Sequence, residues 1–331
     1  MRINVAFAIE SKYVRYLYVA LRSILINKDE DDELYFYVLN SDLEDNGKAI
    51  LSKLAEGNGA TIKYTYVDEN LFPPSLPVVP GWPHVIYYRL LLAELLGDDV
   101  DRIIYIDADI VVNSSLKELY TESFENKLIC GCRNFGEVEE GKYRNKKLYE
   151  SLRTGKYVNS GLLLLNLKDL KNQKYDLNRY LDAARELNYE LVFPDMDLIN
   201  YVHKDHFRFL DEYKYNLFAS EAYSEGIKKD RAKDSVIIHY AGYKPWDGGH
   251  IHYDTEMLWW EYAKETPFYE EFASEYIQES INDPFVYDTL SKYIATVNEL
   301  NRSLENAKEE LELRKQLNDK LLAIVEGQDN I

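Results

Sequence analysis

The chain has 331 residues, with 58 Asp or Glu against 39 Lys or Arg, for a formal net charge of -19. Its 46% hydrophobic content is enough to bury the core of one large or two modest domains, which excludes a disordered chain. The acidity argues against nucleic acid as a partner, since phosphate contacts need a basic patch, and against docking to anionic lipid through Lys/Arg clusters.

The first ten residues are apolar only briefly and meet a charge at Glu10, with neither signal-peptide length nor a small-residue cleavage site. No stretch approaches the ~20 apolar residues of a membrane span. No transmembrane segment is expected, and the expected address is the cytoplasm, at most peripheral to the inner membrane face. Residues 3–9 read as a buried strand, and 13–26 have helical spacing through Leu17, Leu21, Ile24 and Leu25. Residues 34–39 read as a second strand, 43–56 as a helix ended by Gly57, and 61–67 as a third strand. Pro73, Pro74, Pro77, Pro80 and Pro83 mark a loop before a helix near 87–96, and 102–106 form a fourth strand. Strands alternating with helices predict an α/β sheet covered on both faces. Ligands bind such sheets beyond the carboxyl ends of the strands, which sets Glu10 and Asp107-Ala-Asp109 on one rim.

Cys130 and Cys132, the two cysteines of the chain, read as small apolar residues of a buried strand, not as a disulfide or metal pair. Residues 162–167 read as a fully buried strand, followed by a helix over 170–187, a short helix over 195–202 and a strand over 235–239. Beyond Trp260 the chain turns helical and polar. Leu290, Val297, Leu304 and Leu311 recur every seven residues, with Tyr293, Leu300 and Ala307 between them, until Arg314 breaks the seam. A long amphipathic helix packing back on its own domain is expected, with self-association or a partner protein helix as the alternatives. The expected division is a catalytic domain over 1–272 and a helical extension over 273–331.

Two clusters carry the chemistry. Asp107 and Asp109 follow a buried strand, where two anions are costly unless a cation compensates them. A phosphatase of the haloacid-dehalogenase type also places Asp-x-Asp after a strand, but Gly-Thr normally follows there, and here Ile110-Val111 follows. The second cluster is His239-Tyr-Ala-Gly242-Tyr-Lys244-Pro-Trp246, in which a strand-ending imidazole precedes a Gly and a Lys suited to phosphate. Two carboxylates and one imidazole suit a six-coordinate Mn2+, with Mg2+ the alternative, better than a tetrahedral Zn2+. His250-Ile-His252 reads as a solvent-facing loop, and the 29 tyrosines as a matter of composition.

Taken together these motifs resemble glycosyltransferase family 8, which includes glycogenin and bacterial galactosyl- and glucosyltransferases of surface glycans. Phe7-Ala…Tyr13, Tyr87-Tyr-Arg89-Leu, Val158-Asn159-Ser-Gly161 and Pro194-Asp195-Met-Asp197 add to the resemblance, in the family's order and over about four-fifths of the chain. The resemblance implies a GT-A-type α/β fold, a UDP-hexose donor, Mn2+, and transfer to a glycan or glycoprotein acceptor with retention at the anomeric carbon. It implies that Asp107, Asp109 and His239 hold the metal, with Ala108 lining the same turn. Gly242 and Lys244 would grip the phosphates, and Ala8, Glu10 and Tyr13 would frame the uridine. Arg89, Asn134, Asn159 and Asp195 would line the donor sugar, with Arg89, Asn159 and Asp195 at the reacting centre.

Three positions depart from the family. Met196 stands where many members carry Gln, and a thioether is no nucleophile, so front-side transfer is expected. The His239–Lys244 turn is one residue shorter than in many members. Glu10, Ser11 and Lys12 replace the commoner Asp and Asn near the base. A fold of this kind that has lost turnover and acts through its tail is the competing class, favoured by Met196 alone.

Overall fold

Strand β1 (Arg2–Ala8) shows how the sheet is built. Ile3, Val5 and Phe7 enter one buried cluster while Ala6 enters the other, as a period of two requires. β4 (Arg102–Ile106) repeats this, with Ile103 and Tyr105 on one side and Ile104 and Ile106 on the other. The computed structural model describes residues 1–78, 84–135, 145–152, 156–248 and 250–328, so the expected Pro80 and Pro83 of the loop lie outside the described residues.

The chain divides into two compact units, Met1–Pro245 with Ile251–Glu270 and Trp246–His250 with Glu271–Ile331. In the first, β2 (Glu33–Asn40), β3 (Thr61–Tyr66), β6 (Ile129–Arg133), β7 (Val158–Asn166) and β8 (Phe207–Leu210) join β1 and β4 in the order β3-β2-β1-β4-β7-β6-β8. β3, β2, β1 and β4 are mutually parallel. β7 runs antiparallel to both β4 and β6. This reversal matters for function: the start of β7 and the end of β6 share the rim on which β1 and β4 finish, with Ile106 opposite Leu162 and Arg133 opposite Val158. A small sheet, β5 (Ile110–Val112), β10 (Ile237–His239) and β9 (Leu217–Phe218), stands in the order β5-β10-β9. His239 is in register with Ile110, and the Tyr240 N–H donates to the Asp109 carbonyl at 2.9 Å. The imidazole is thereby brought beside the Asp pair.

Most expected elements occur within a residue or two. The helix expected near 87–96 is instead a 3-10 segment, His84–Leu91, running into a single α turn, Leu92–Leu95. The helix expected over 170–187 is two helices, Leu167–Asn172 and Leu177–Glu186, with Lys174 at φ 54° between them. The second helix ends at Gly57 (Asp45–Gly57), as expected, and the left-handed residue that follows is Gly59, at φ 70°. Cys130 and Cys132 are buried free thiols on β6, as expected.

In the second unit a 45-residue helix, Pro284–Gln328, carries the heptads. Leu290, Leu300, Leu304 and Leu311 are 54–64% exposed. Among the described residues no helix is long and apolar enough to cross a membrane.

Candidate active site

A cavity of about 460 Å³ opens on the rim where the two sheets of the first unit meet, a size ordinary for a small-ligand site. Ala8, Glu10, Tyr13, Arg89, Asp107, Ala108, Asp109, Asn134, Asn159, Asp195, His239, Gly242 and Lys244 all line it. Every residue to which the resemblance gave a site role therefore lines one cavity. Ile9, Val85, Ile86, Ser160, Gly161, Phe193, Phe218 and Ala241 complete the wall, beside the departure Met196. Ser160 and Gly161 lie within a recognised motif, whereas nothing in the sequence marks Phe218.

One ligand atom each from Asp107, Asp109 and His239 lies within 4.8 Å of the others. Asp107 accepts hydrogen bonds from Arg89 at 2.9 Å and from the Tyr105 hydroxyl at 3.0 Å. Asp109 faces His239 Nε2 at 3.4 Å and accepts from the Lys244 ammonium. Burial alone would raise the Asp109 carboxyl, but Lys244 and His239 override it and hold the group well below the usual carboxylate range. Lys244 also donates to the Tyr240 carbonyl at 2.8 Å. Gly161 keeps the space clear: a Cβ there would stand 2.5 Å from the His239 ring and 2.7 Å from an Asp107 oxygen. Two carboxylate oxygens, an imidazole nitrogen and that reserved space fit a divalent cation.

Arg89 is almost wholly buried, and its charge is fully compensated. Beyond Asp107 it faces Asp195 at 3.3 Å, donates to the Ser160 carbonyl at 2.8 Å and stands 4.5 Å over the Tyr105 ring. Burial opposes its charge, yet these acids hold the guanidinium firmly protonated. Asp195, at the start of the helix Pro194–Val202, accepts from the Ser160 hydroxyl at 2.7 Å. Burial pushes its carboxyl up, against the pull of Arg89 and Ser160.

At the open end, Glu10 pairs with Lys12 at 2.6 Å, and Tyr13 packs partly against the core while facing the cavity. Gly242 has φ 98°, which excludes other side chains without strain. Neither of the paired histidines is the solvent-facing residue expected: His252 stacks on Tyr243 at 3.8 Å between ring centres, and His250 lies 3.1 Å from Asp283 and 4.6 Å from the Phe285 ring.

The model of the glycosyl transferase family 8 matches residues 4–249. The chain belongs to this family. It is 29% identical over 252 residues to a lipopolysaccharide 1,2-glucosyltransferase of Escherichia coli, spanning 73% of each chain. It is 28% identical over 266 residues to glycosyltransferase GlyF of Streptococcus pneumoniae, spanning 79% of this chain and 61% of GlyF. The solved galactosyltransferase LgtC, in complex with donor and acceptor sugar analogs, matches with a TM-score of 0.67 at 20% identity over 82% of this chain and 100% of LgtC. That likeness confirms the GT-A-type fold. As a family 8 member the chain is a hexosyltransferase with a UDP-sugar donor, and its Asp107/Asp109/His239 cluster is suited to a divalent cation.

Proposed function

We propose that this family 8 transferase moves a hexose, glucose or galactose, from UDP to a glycan or glycoprotein, with Mn2+ and with retention at the anomeric carbon. The observation that carries the proposal is the cluster of Asp107, Asp109 and His239 in one cavity with Lys244 and Arg89. Bound there, Mn2+ supplies Lewis-acid stabilisation of the diphosphate charge that grows as the C1–O bond breaks. Lys244 and the bare backbone at Gly242 meet the same phosphates, with no proton moved. Tyr13 and Ala8 frame the base beside Glu10. Asn134, Asn159 and Arg89 face the hexose from the β6–β7 side of the rim.

The arrangement favours front-side transfer. Met196 offers no nucleophile, and Asp195 is held by Ser160 and faces Arg89, a setting for stabilising positive charge on the sugar ring, not for attacking it. The acceptor oxygen then bonds to C1 on the face that UDP leaves, and its proton passes to the departing phosphate oxygen. Such a transfer suits an address at the inner membrane face, with the chain itself in the cytoplasm.

Release of UDP from a panel of UDP-hexoses, with Mn2+, with Mg2+ and with EDTA, tests the donor and the metal. The anomeric proton of the transferred sugar, read by NMR, tests retention: an α-linked product is expected, and a β-linked product overturns it. We propose also that the exposed Leu290–Leu311 stripe seats a second copy of the chain, because an apolar heptad stripe left in water is unfavourable. Sedimentation should give a dimer for the full chain and a monomer for a Leu300→Glu, Leu304→Glu variant; equal masses would remove the stripe from any assembly role.

A further inference from the structure

We infer that Asn216 is the positioning residue that fixes His239 as its Nδ1–H tautomer, which keeps the Nε2 lone pair for the divalent cation; this rests on the metal reading above. Asn216 is fully buried and stands just before β9, behind the cavity wall. Its side chain bridges the imidazole to two residues that do line the cavity. His239 Nδ1 lies 3.0 Å from the Asn216 Oδ1 atom. Asn216 Nδ2 donates to Asn159 Oδ1 at 3.1 Å, and Asn159 Nδ2 donates to Asn134 Oδ1 at 3.1 Å. Asn134 Nδ2 donates to the Phe135 backbone carbonyl at 2.9 Å. Three carboxamides thus stand in series, all pointing the same way.

Two backbone groups set the direction. A carbonyl only accepts, so the Phe135 carbonyl requires the Asn134 amide nitrogen to face it. An N–H only donates, and the Gly161 N–H donates to Asn159 Oδ1 at 3.0 Å, which requires the Asn159 oxygen to face it. With both ends fixed, the Asn216 nitrogen must face Asn159 and its oxygen must face His239. The imidazole therefore donates from Nδ1. The opposite tautomer would need all three amides reversed, setting nitrogen against the Gly161 N–H and oxygen against the Phe135 carbonyl. The His239 ring has little freedom to escape this, being 3% exposed and edge-on to Phe218 at 5.0 Å. Nε2 is left facing Asp109. Metal-bound imidazoles are oriented through the other ring nitrogen in this way, and loss of such a partner costs about 10–100-fold in metal affinity. The same series holds the carboxamides of Asn134 and Asn159, so the metal end and the hexose wall of the cavity share one support.

The test reads the His239 ring nitrogens of the metal-free full chain by long-range 1H–15N correlation above neutral pH, with His239→Asn to assign the signals. The expected pattern is a pyrrole-type Nδ1 and a pyridine-type Nε2; the reverse pattern overturns the inference. Asn216→Leu should mix the tautomers and weaken Mn2+ binding in the presence of UDP by about tenfold or more. Asn216→Asp, which keeps an acceptor for Nδ1, should retain the wild-type tautomer. A folded Asn216→Leu chain with the wild-type spectrum and wild-type Mn2+ affinity would also overturn it. Because the tautomer is read without metal, a wild type with the expected signals but no uptake of Mn2+ removes the metal reading and leaves the tautomer assignment standing.

Discussion

Asp107-Ala-Asp109 and Asp195-Met-Asp197 share one spacing on different backbone. The first pair lies in the bend between β4 and β5, and both carboxylates line the cavity. The second pair opens a helix, where residues two apart lie about 200° apart around the axis. Asp195 accordingly lines the cavity and Asp197 turns away. There Asp197 accepts from the Tyr157 hydroxyl at 2.5 Å and from the Val192 and Phe193 N–H groups at 2.7 and 3.1 Å. The charges diverge as well. Lys244 and the facing imidazole hold Asp109 ionised, whereas burial raises Asp195 and lifts Asp197 to about 6. A shared tripeptide pattern thus gathers two carboxylates beside one imidazole in one region, and is split between the cavity wall and a buried hydrogen-bond network in the other.

Substitutions should separate the roles in that order. Asp109→Asn removes a ligand and a charge from the first pair and should lower kcat on the order of 10³-fold, as loss of a preorganised charge stabiliser does. Steady-state rates within a few-fold of wild type would erase the contrast. Asp195→Asn should lower kcat on the order of 10²-fold while the KM for the UDP-hexose moves little, the pattern of an interaction made mainly in the transition state. A large KM effect with kcat intact would make Asp195 a binding residue only.

Asp197→Asn should leave kcat near wild type and show itself in stability against pH. Since burial raises the folded-state pKa above the ordinary 3.8 to about 6, the folded chain holds this proton more tightly than the unfolded one. Its contribution is fully present below pH 3.8 and is lost as pH rises through about 6. Relative to Asp197→Asn, the wild type should lose up to about 3 kcal/mol between about pH 4 and pH 7, at ~1.4 kcal/mol per pK unit. Urea unfolding at the two pH values reads this. Parallel behaviour of the two proteins would mean that Asp197 is ionised without cost.

Much of this contrast was legible before any coordinates. The alternation of apolar strands and helices gave the sheet, and the polar residues closing its strands gave the rim. Where the sequence was silent, local pattern carried too little. β9 has two residues and β5 three, too short for a period to declare itself. The reversal of β7 is a matter of long-range pairing, yet it explains why Asn159 and Ser160, at the start of a strand, reach a rim otherwise made of strand ends. Asn216 belongs to no motif, and its role exists only once β9 and β10 pair in parallel beside β7. The tail shows the opposite case: its heptads were plain in the sequence, but periodicity cannot say what covers them, and the helix leaves them exposed.

The most direct test is a titration of Mn2+ into the wild type, Asp109→Asn and Asp197→Asn chains with UDP present, read as loss of the free-ion signal by electron paramagnetic resonance. The account predicts equal uptake by the wild type and Asp197→Asn, and loss of binding in Asp109→Asn. Binding by Asp109→Asn as tight as that of the wild type would contradict it.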